Sequence, residues 1–245
     1  MGKKKVLGVI GGLGPMATTC FMESVIRMTR AETEQDNLDM IVYNFPSIPD
    51  RTGYILGSNL KSPLPGLMRV ARELAWQDVA QIAIPCITAH FFLEELRSYV
   101  AVPIIDGVRE TAKHLKQQGV HAAGIMATEG TVYSGIFTKA LAIEGIVPIL
   151  PSRKRQEDLT RLIYDNVKAG LPPEMRRFRA VERELREGGA EVVVLGCTEL
   201  SVIKRDCSIG AGFLDAMEVL AQQSILLCGR QLKTQYRDLI TKEKQ

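Results

Sequence analysis

The stretch GVIGGLG at residues 8–14 returns in altered form as GIMATEG at residues 124–130. Two further landmarks recur in the same order. CIT at residues 86–88 lines up with CT at residues 197–198, and PIIDG at residues 103–107 lines up with GFLDA at residues 212–216. The three offsets are 116, 111 and 109 residues. Landmarks repeated in order at nearly constant spacing predict two similar halves related by an approximate two-fold axis.

Short apolar runs, partly β-branched, alternate with helical patterns along the chain. Runs at residues 6–10, 79–84, 122–126 and 191–195 are typical of buried strands. Strand–helix alternation indicates an α/β fold with parallel sheets. We therefore expect two similar three-layer α/β/α halves related by a pseudo-two-fold. Because ligands bind at the carboxyl ends of parallel strands, we expect the active site in the cleft between them.

The predicted domains are discontinuous. Residues 1–106 plus about 211–245 form the first α/β domain, and residues 107–210 form the second. The pattern also predicts helices over residues 90–99, 133–143 and 156–167. Arg51, in the sequence PDRT at residues 49–52, is predicted to lie in a turn-like loop.

Composition excludes several classes of protein. The chain has 245 residues, of which 46% are hydrophobic and 24% charged, which is typical of a soluble globular protein. A net charge of +3 is too weak to indicate a nucleic-acid partner, and no apolar run approaches the length of a membrane span. Five cysteines without C-x-x-C spacing argue against disulfides and zinc, so we expect a cytoplasmic protein without a metal.

Two of the cysteines occupy matching positions. Cys86 and Cys197 each follow an apolar strand, and a Thr comes soon after each. A buried cysteine is usually an inert small hydrophobe, which is how we interpret the other three. A thiol near the start of a helix has a pKa shifted toward neutrality. Two such thiols can flank one small molecule, one removing a proton from a carbon while the other returns a proton to the opposite face. His90 is either a proton partner or a helix-surface residue.

The first loop imitates a dinucleotide-binding motif. GLGPMA at residues 12–17 fits G-x-G-x-x-G/A, but the second strand ends in YNFP, at residues 43–46, without the acid that would hold a ribose. We therefore expect no nicotinamide site. The loop is either a tight turn or, as we prefer, a set of backbone N–H groups that hold a small anion such as a carboxylate.

Several polar residues at loop positions suit an anionic ligand. Arg51 could clamp a carboxylate, although a surface arginine is an equally ordinary interpretation. The threonines at these positions could cap helices or donate to the ligand: Thr88, Thr128, Thr131 and Thr198. Lys168 by default is the cationic end of a helix.

These motifs together resemble the cofactor-independent aspartate/glutamate racemases, in particular the aspartate racemase branch, over nearly the whole chain. The opening loop at residues 11–18, the first cysteine motif at residues 86–90, and GCTEL at residues 196–200 carry the resemblance. It implies that Cys86 and Cys197 are the acid and base, that Arg51 and Lys168 bind substrate carboxylates, and that no cofactor is needed. The full predicted substrate-binding set is Gly12, Leu13, Gly14, Arg51, Thr88, Thr128, Thr131, Lys168, Thr198 and Glu199.

One departure from the family pattern concerns the substrate. Ile87 stands where the family usually has Asn, so hydrogen bonds to the substrate are lost and apolar bulk is added. The expected function is amino-acid racemisation, of aspartate, of glutamate or of a broader range. The alternatives are a related diacid isomerase and a catalytically impaired binder of small acidic ligands. The resemblance also implies a homodimer.

Overall fold

The computed structural model describes residues 5–242, which form two parallel sheets flanked by helices. The first sheet has the order β2-β1-β3, with β1 at Leu7–Gly11, β2 at Met40–Asn44 and β3 at Gln81–Ala83. The second has the order β5-β4-β6-β7, with β4 at Ala122–Met126, β5 at Val147–Ile149, β6 at Val192–Leu195 and β7 at Phe213–Asp215. All of these pairs are parallel, which confirms the predicted α/β class.

The two sheets repeat one strand order, and the sequence landmarks occupy matching places in it. β1 and β4 each lie between two partners. Ile82 forms an isolated parallel bridge with Ile104, and the corresponding Val193 pairs with Phe213 in β7. In each half, the strand that leads to the cysteine landmark therefore lies beside the landmark that contains Asp106 or Asp215. This arrangement confirms the prediction of two similar halves.

Helices cover the sheets. They are α1 (Pro15–Met28), α2 (Arg51–Ile55), α3 (Leu64–Trp76), α4 (Leu93–Tyr99), α5 (Gly107–Gln117), α6 (Glu129–Ser134), α7 (Ile136–Ile143), α8 (Arg153–Thr160), α9 (Met175–Glu187), α10 (Thr198–Asp206) and α11 (Ala216–Leu227). Short 3₁₀ helices occupy Glu34–Asp36, Ile87–Phe92 and Thr234–Tyr236, and a π-helix occupies Arg161–Val167. Among the residues described, no helix has the length and apolar character needed to cross a bilayer.

One hydrophobic core is continuous across both halves. It includes Val9 of β1 and Ile125 of β4, together with Phe21 of α1 and Leu220 of α11, all of which are buried. Each half also has a core of its own on the outer face of its sheet. Because β1 and β4 are covered on both faces, their residues are nearly all apolar, which is the pattern expected of parallel strands.

The packing of helices does not separate the two domains of the predicted division. α11 packs against both α1 and α5, and α5 also packs against α7 of the second half. β7 differs from that division, because hydrogen bonding to β6 places Phe213–Asp215 in the second sheet. The assignment of the remaining C-terminal residues to the first domain therefore stays a proposal. Residues 1–4 and 243–245 lie outside the described residues.

Several predicted helix bounds were wrong. Instead of one helix over residues 90–99, the chain forms a 3₁₀ helix from Ile87 and then α4. The predicted helix over residues 133–143 is two helices, since Gly135 adopts a positive φ of 68° between α6 and α7. Residues 156–167 belong partly to α8 and partly to the π-helix. Arg51 is not in a loop; it is the first residue of α2, capped by Asp50.

Candidate active site

The two matched cysteines face one cavity between the halves. Cys86 follows β3 and begins the 3₁₀ helix, while Cys197 follows β6 and is the N-cap of α10. Both are buried. A cavity of about 10 Å³ is lined by both residues. That volume is close to the minimum that one water molecule requires. Because both cysteines line so small a space, the two loops that carry them lie close together.

Most of the predicted substrate-binding residues line this inner cavity. Besides the cysteines they are Leu13, Arg51, Thr88, Thr128, Lys168, Thr198 and Glu199. Asp50, Thr52 and Ile87 complete the lining. Sequence reasoning did not place Asp50 or Thr52 in the site, although both adjoin Arg51. The parallel sheets bring most of these residues together because they lie in connections that follow the carboxyl ends of strands, whereas Lys168 follows a π-helix.

Cys197 is held as a neutral thiol. Its Sγ donates a hydrogen bond of 2.9 Å to Oε2 of Glu199. Burial raises the pKa of Cys197 well above its ordinary value, the negative charge of Glu199 raises it further, and the positive charge of Lys168 opposes both. The helix start alone predicts a pKa of Cys197 that is shifted toward neutrality. That prediction is wrong. Desolvation and a neighbouring carboxylate outweigh the helix dipole there.

Arg51 joins the loop that contains Leu13 to the loop that precedes α2. Its Nη2 donates to the carbonyl of Leu13 at 2.9 Å, and its Nη1 donates to Pro49 at 3.0 Å and to Ile48 at 3.4 Å. Among the described residues, its buried Nε has no hydrogen-bond partner. Burial acts to lower the pKa of Arg51, but its interactions with Cys86 and Asp50 outweigh burial, so the pKa is raised. Arg51 thus faces Cys86 as a fixed positive charge.

Lys168 supplies the second positive charge. Its Nζ lies 3.9 Å from Oδ1 of Asp50 and 4.0 Å from the ring centroid of Tyr164. Burial acts to lower the pKa of Lys168, but the negative charge of Glu199 outweighs burial, so the pKa is raised overall. Tyr164 belongs to the π-helix that Lys168 ends. π-helical turns occur frequently at functional sites, but nothing in the spacing of Tyr164 and Lys168 distinguishes this turn from an ordinary helix.

Three threonine hydroxyls form a closed triangle. Thr88 lies 2.9 Å from Thr128 and 3.0 Å from Thr131, and these last two lie 2.9 Å apart. Thr128 also caps α6 by accepting from the backbone N–H of Thr131. The triangle therefore joins the Cys86 loop to the corresponding loop of the second half. Thr88 and Thr128 line the inner cavity, whereas Thr131, also predicted to bind substrate, does not.

The first loop borders a larger outer chamber. Gly12 and Gly14 line a cavity of about 630 Å³, which shares Asp50, Arg51, Lys168 and Glu199 with the inner cavity. Gly12 has a φ of +89°, and a Cβ there would lie 2.3 Å from the backbone nitrogen of Phe45. Its N–H already donates to Oγ1 of Thr18 at 2.9 Å. This N–H is therefore already engaged, and the expectation that N–H groups of this loop hold an anion stays a prediction.

His90 lines neither the inner cavity nor the outer chamber. It is buried, not on a helix surface. Among the described residues, no three His, Cys, Asp or Glu side chains are grouped so as to hold a metal ion.

Comparison with known proteins identifies the family. A family model described as Asp/Glu/Hydantoin racemase matches residues 10–224.

The chain belongs to the Asp/Glu/hydantoin racemase family. The predicted resemblance is confirmed, and with it the prediction of an isomerase of the racemase class. An aspartate racemase from Picrophilus torridus is similar in structure, with a TM-score of 0.84 and 30% identity, covering 95% of this chain and 98% of that one. A broad specificity amino-acid racemase from Bacillus subtilis (strain 168) is 25% identical over 90% of this chain and 96% of its own length.

A glutamate racemase from Limosilactobacillus reuteri (strain DSM 20016) is 25% identical over 93% of this chain and 82% of its own length. More distant structures share the fold alone. A glutamate racemase from Francisella tularensis subsp. tularensis SCHU S4 has a TM-score of 0.64 at 16% identity, covering 90% of this chain and 79% of that one.

Proposed function

We propose that this racemase-family chain inverts the α-carbon of a small amino acid by two-base proton transfer between Cys86 and Cys197, without a cofactor. The observation that carries the proposal is that both cysteines line one buried cavity bordered by Arg51 and Lys168. Aspartate is the preferred candidate substrate, which the 30% identity to an aspartate racemase supports. The similarity to a broad specificity racemase keeps glutamate and other amino acids as candidates.

The proposed reaction balances without an external reagent. Cys86, as thiolate, takes the α-proton and becomes a thiol, and the electron pair of the C–H bond stays on the α-carbon. Cys197 then gives its proton to the opposite face and becomes the thiolate. The hydrogen bond from Cys197 to Glu199 supports its assignment as the acid in this direction. In the reverse direction the two cysteines exchange roles.

The positive charges stabilise the transition state. Arg51 and Lys168 would bind the substrate's carboxylates, and a carboxylate held by fixed cations accepts the charge that develops at the α-carbon. Fixing the substrate between two thiols also removes the entropic cost of bringing the reacting groups together, which accounts for roughly 7–11 kcal/mol in well-oriented systems.

The substrate must reach the thiols through the outer chamber. The inner cavity, at about 10 Å³, is too small for an amino acid, whereas the adjoining chamber has about 630 Å³. Asp50, Arg51, Lys168 and Glu199 stand at the border of the two. We therefore infer that the loops bearing these residues move apart when the substrate enters.

The test is α-hydrogen exchange in deuterated water across the twenty amino acids, followed by chiral analysis of those that exchange. We expect exchange with inversion for aspartate. Cys86→Ser and Cys197→Ser should each lower the racemisation rate by at least about a hundred-fold, because a serine hydroxyl is a far weaker acid and base. Cys228→Ser, outside the site, is the matched control.

Two results would contradict the proposal. Full racemisation by either site variant would exclude the two-thiol mechanism. Thermal stabilisation by acidic amino acids without exchange would instead identify the impaired binder, which the apolar Ile87 in the cavity wall makes a specific alternative.

A further inference from the structure

His90 contacts the backbone on both sides of its ring. Its Nε2 accepts a hydrogen bond of 3.1 Å from the N–H of Gly107, the first residue of α5. Its Nδ1 lies 3.2 Å from the carbonyl oxygen of Cys86. An amide N–H can only donate and a carbonyl oxygen can only accept. Nε2 therefore carries no proton, and Nδ1 carries the single proton of a neutral imidazole.

We propose that His90 is a positioning residue for Cys86, a neutral imidazole that fixes the Cys86 carbonyl to the start of α5 and takes no part in proton transfer. The inference rests on the proposed function in one respect only, that Cys86 is a base. The sequence left two roles open for His90, a proton partner or a helix-surface residue. In this proposal it has neither role.

The geometry explains why the imidazole is suited to this place. The side chain is almost completely buried, and both ring nitrogens are already in use. A Cβ on residue 107 would lie 3.2 Å from Nε2, so the small Gly107 lets the ring approach the backbone closely. Protonating Nε2 would replace the bond to Gly107 with two donors facing each other.

Charges of both signs surround His90, and burial has the largest effect on its pKa. Burial lowers the pKa of His90; the negative charge of Asp106 opposes this, and the positive charge of Arg97 on α4 adds to it. Three further charged residues line the groove beside the ring: Glu94, Arg109 and Lys139. The imidazole consequently stays neutral in the range in which an exposed histidine titrates.

The first test is spectroscopic and does not depend on activity. Protein labelled with ¹⁵N-histidine gives signals for His90, His114 and His121, and the signal lost in His90→Asn assigns residue 90. We expect the Nδ1–H neutral form of His90 to predominate at pH 6.5, the ordinary pKa of a histidine, and above it. An Nε2–H form, or a mainly protonated ring at pH 6.5, would overturn the proposal.

The second test separates the two hydrogen bonds. In His90→Asn the amide nitrogen replaces Nδ1 and still donates to Cys86, whereas in His90→Gln the amide oxygen replaces Nε2 and accepts only from Gly107. The substrates are the two enantiomers of β-chloroalanine. Removing the α-proton expels chloride and leaves aminoacrylate, which water converts to pyruvate and ammonium. Each enantiomer needs only one thiolate, and Cys86→Ser shows which enantiomer depends on Cys86.

We expect His90→Gln to lower kcat by roughly 10- to 100-fold for the enantiomer that depends on Cys86, because small misplacements of a reacting group have effects of this size. The other enantiomer should change by less than about threefold, and His90→Asn should retain most of the activity. Equal losses for both enantiomers would overturn the proposal. A wild-type protein that racemises no amino acid would instead refute the proposed function, leaving the spectroscopic test to decide the role of His90.

Discussion

At the scale of single residues, burial and the carboxylate of Glu199 together keep Cys197 protonated. Glu199 accepts the thiol's hydrogen bond and adds a negative charge to a buried site. A buried acid beside a like charge stays protonated to higher pH. In the proposed mechanism this protonated thiol is the acid, and its surroundings, which differ from those of Cys86, supply the difference between two chemically identical side chains.

Replacing Glu199 with Gln should lower the pKa of Cys197. The amide keeps the shape of the side chain and removes its charge, while burial of Cys197 continues to act in the opposite direction. We expect Cys197 to be alkylated by iodoacetamide at lower pH than in the wild type, as followed by mass spectrometry of the peptide that contains it. Glu157→Gln, an exposed residue paired with Arg153, is the control. An unchanged alkylation profile would show that Glu199 does not govern the thiol.

At the scale of elements, the cap of α11 makes stability depend on pH. Asp215 accepts from the backbone N–H of Met217 at 2.9 Å and from the hydroxyl of Ser201 at 2.8 Å. Burial raises its pKa to about 6, against the opposing charge of Lys204. The folded state therefore binds this proton more tightly than the unfolded state, whose carboxyl has the ordinary value of 3.8.

Stability from this group is fully present below pH 3.8 and is lost as the pH rises through about 6. Asp215→Asn keeps an accepting oxygen but does not ionise, so it should gain on the order of 3 kcal/mol relative to the wild type between about pH 4 and pH 7. Urea unfolding across this range measures the difference. Asp106→Asn, which changes the corresponding cap of α5, is the matched control. Parallel pH profiles for wild type and Asp215→Asn would contradict the assignment.

The sequence predicted strands better than helices, for physical reasons. The run at residues 122–126 is apolar, short and bounded by polar residues, and it matches β4. For α10, by contrast, the sequence indicated a helix start near Cys197 but gave no bounds. Its residues are helical because Cys197 ends a buried strand at their first turn and because Leu200 and Ile203 pack into the core. These interactions are tertiary, and spacing along the chain does not report them.

The sequence predicted most of the candidate site, but not all of it. The cysteines, Arg51, Lys168 and most of the threonines were found because they recur at strand ends or match a family motif. Tyr164 carries no such signal, because its position over Lys168 depends on a π-helical turn. The thiol of Cys197 was assigned the wrong direction of pKa shift, because its burial and its contact with Glu199 exist only in the folded chain.

At the scale of the whole molecule, the two halves meet closely behind the site. Gly130 of α6 lies against Thr52 of α2, and a Cβ on residue 130 would be 2.9 Å from the Cα of Thr52. This contact is to backbone, so no side chain can rotate away. The distance between the two halves at this point is therefore limited by the size of residue 130.

Gly130→Ala should force α2 and α6 apart. Overpacking of this kind costs about 1–3 kcal/mol, and displacement of Thr128 and Arg51, which flank the contact, should also lower kcat. Chemical denaturation and the racemisation assay measure the two effects. Tyr133→Ala, on the exposed face of α6, should change stability by less than about 0.5 kcal/mol. Equal stability of Gly130→Ala and wild type would mean that the halves tolerate a wider separation. The homodimer implied by the family resemblance remains a separate proposal, which mass measurement in solution tests.

The core that runs through both halves limits where substitutions can change the preference for one amino acid over another. Since β1, β4, α1 and α11 share one packed interior, a substitution that alters the angle between the sheets disturbs the entire molecule. The rim segment from Gly170 to Pro173 borders the outer chamber and lies largely exposed, so substitutions there leave this shared interior intact. We therefore expect changes of substrate preference to arise most readily in this segment, with Cys86 and Cys197 unchanged.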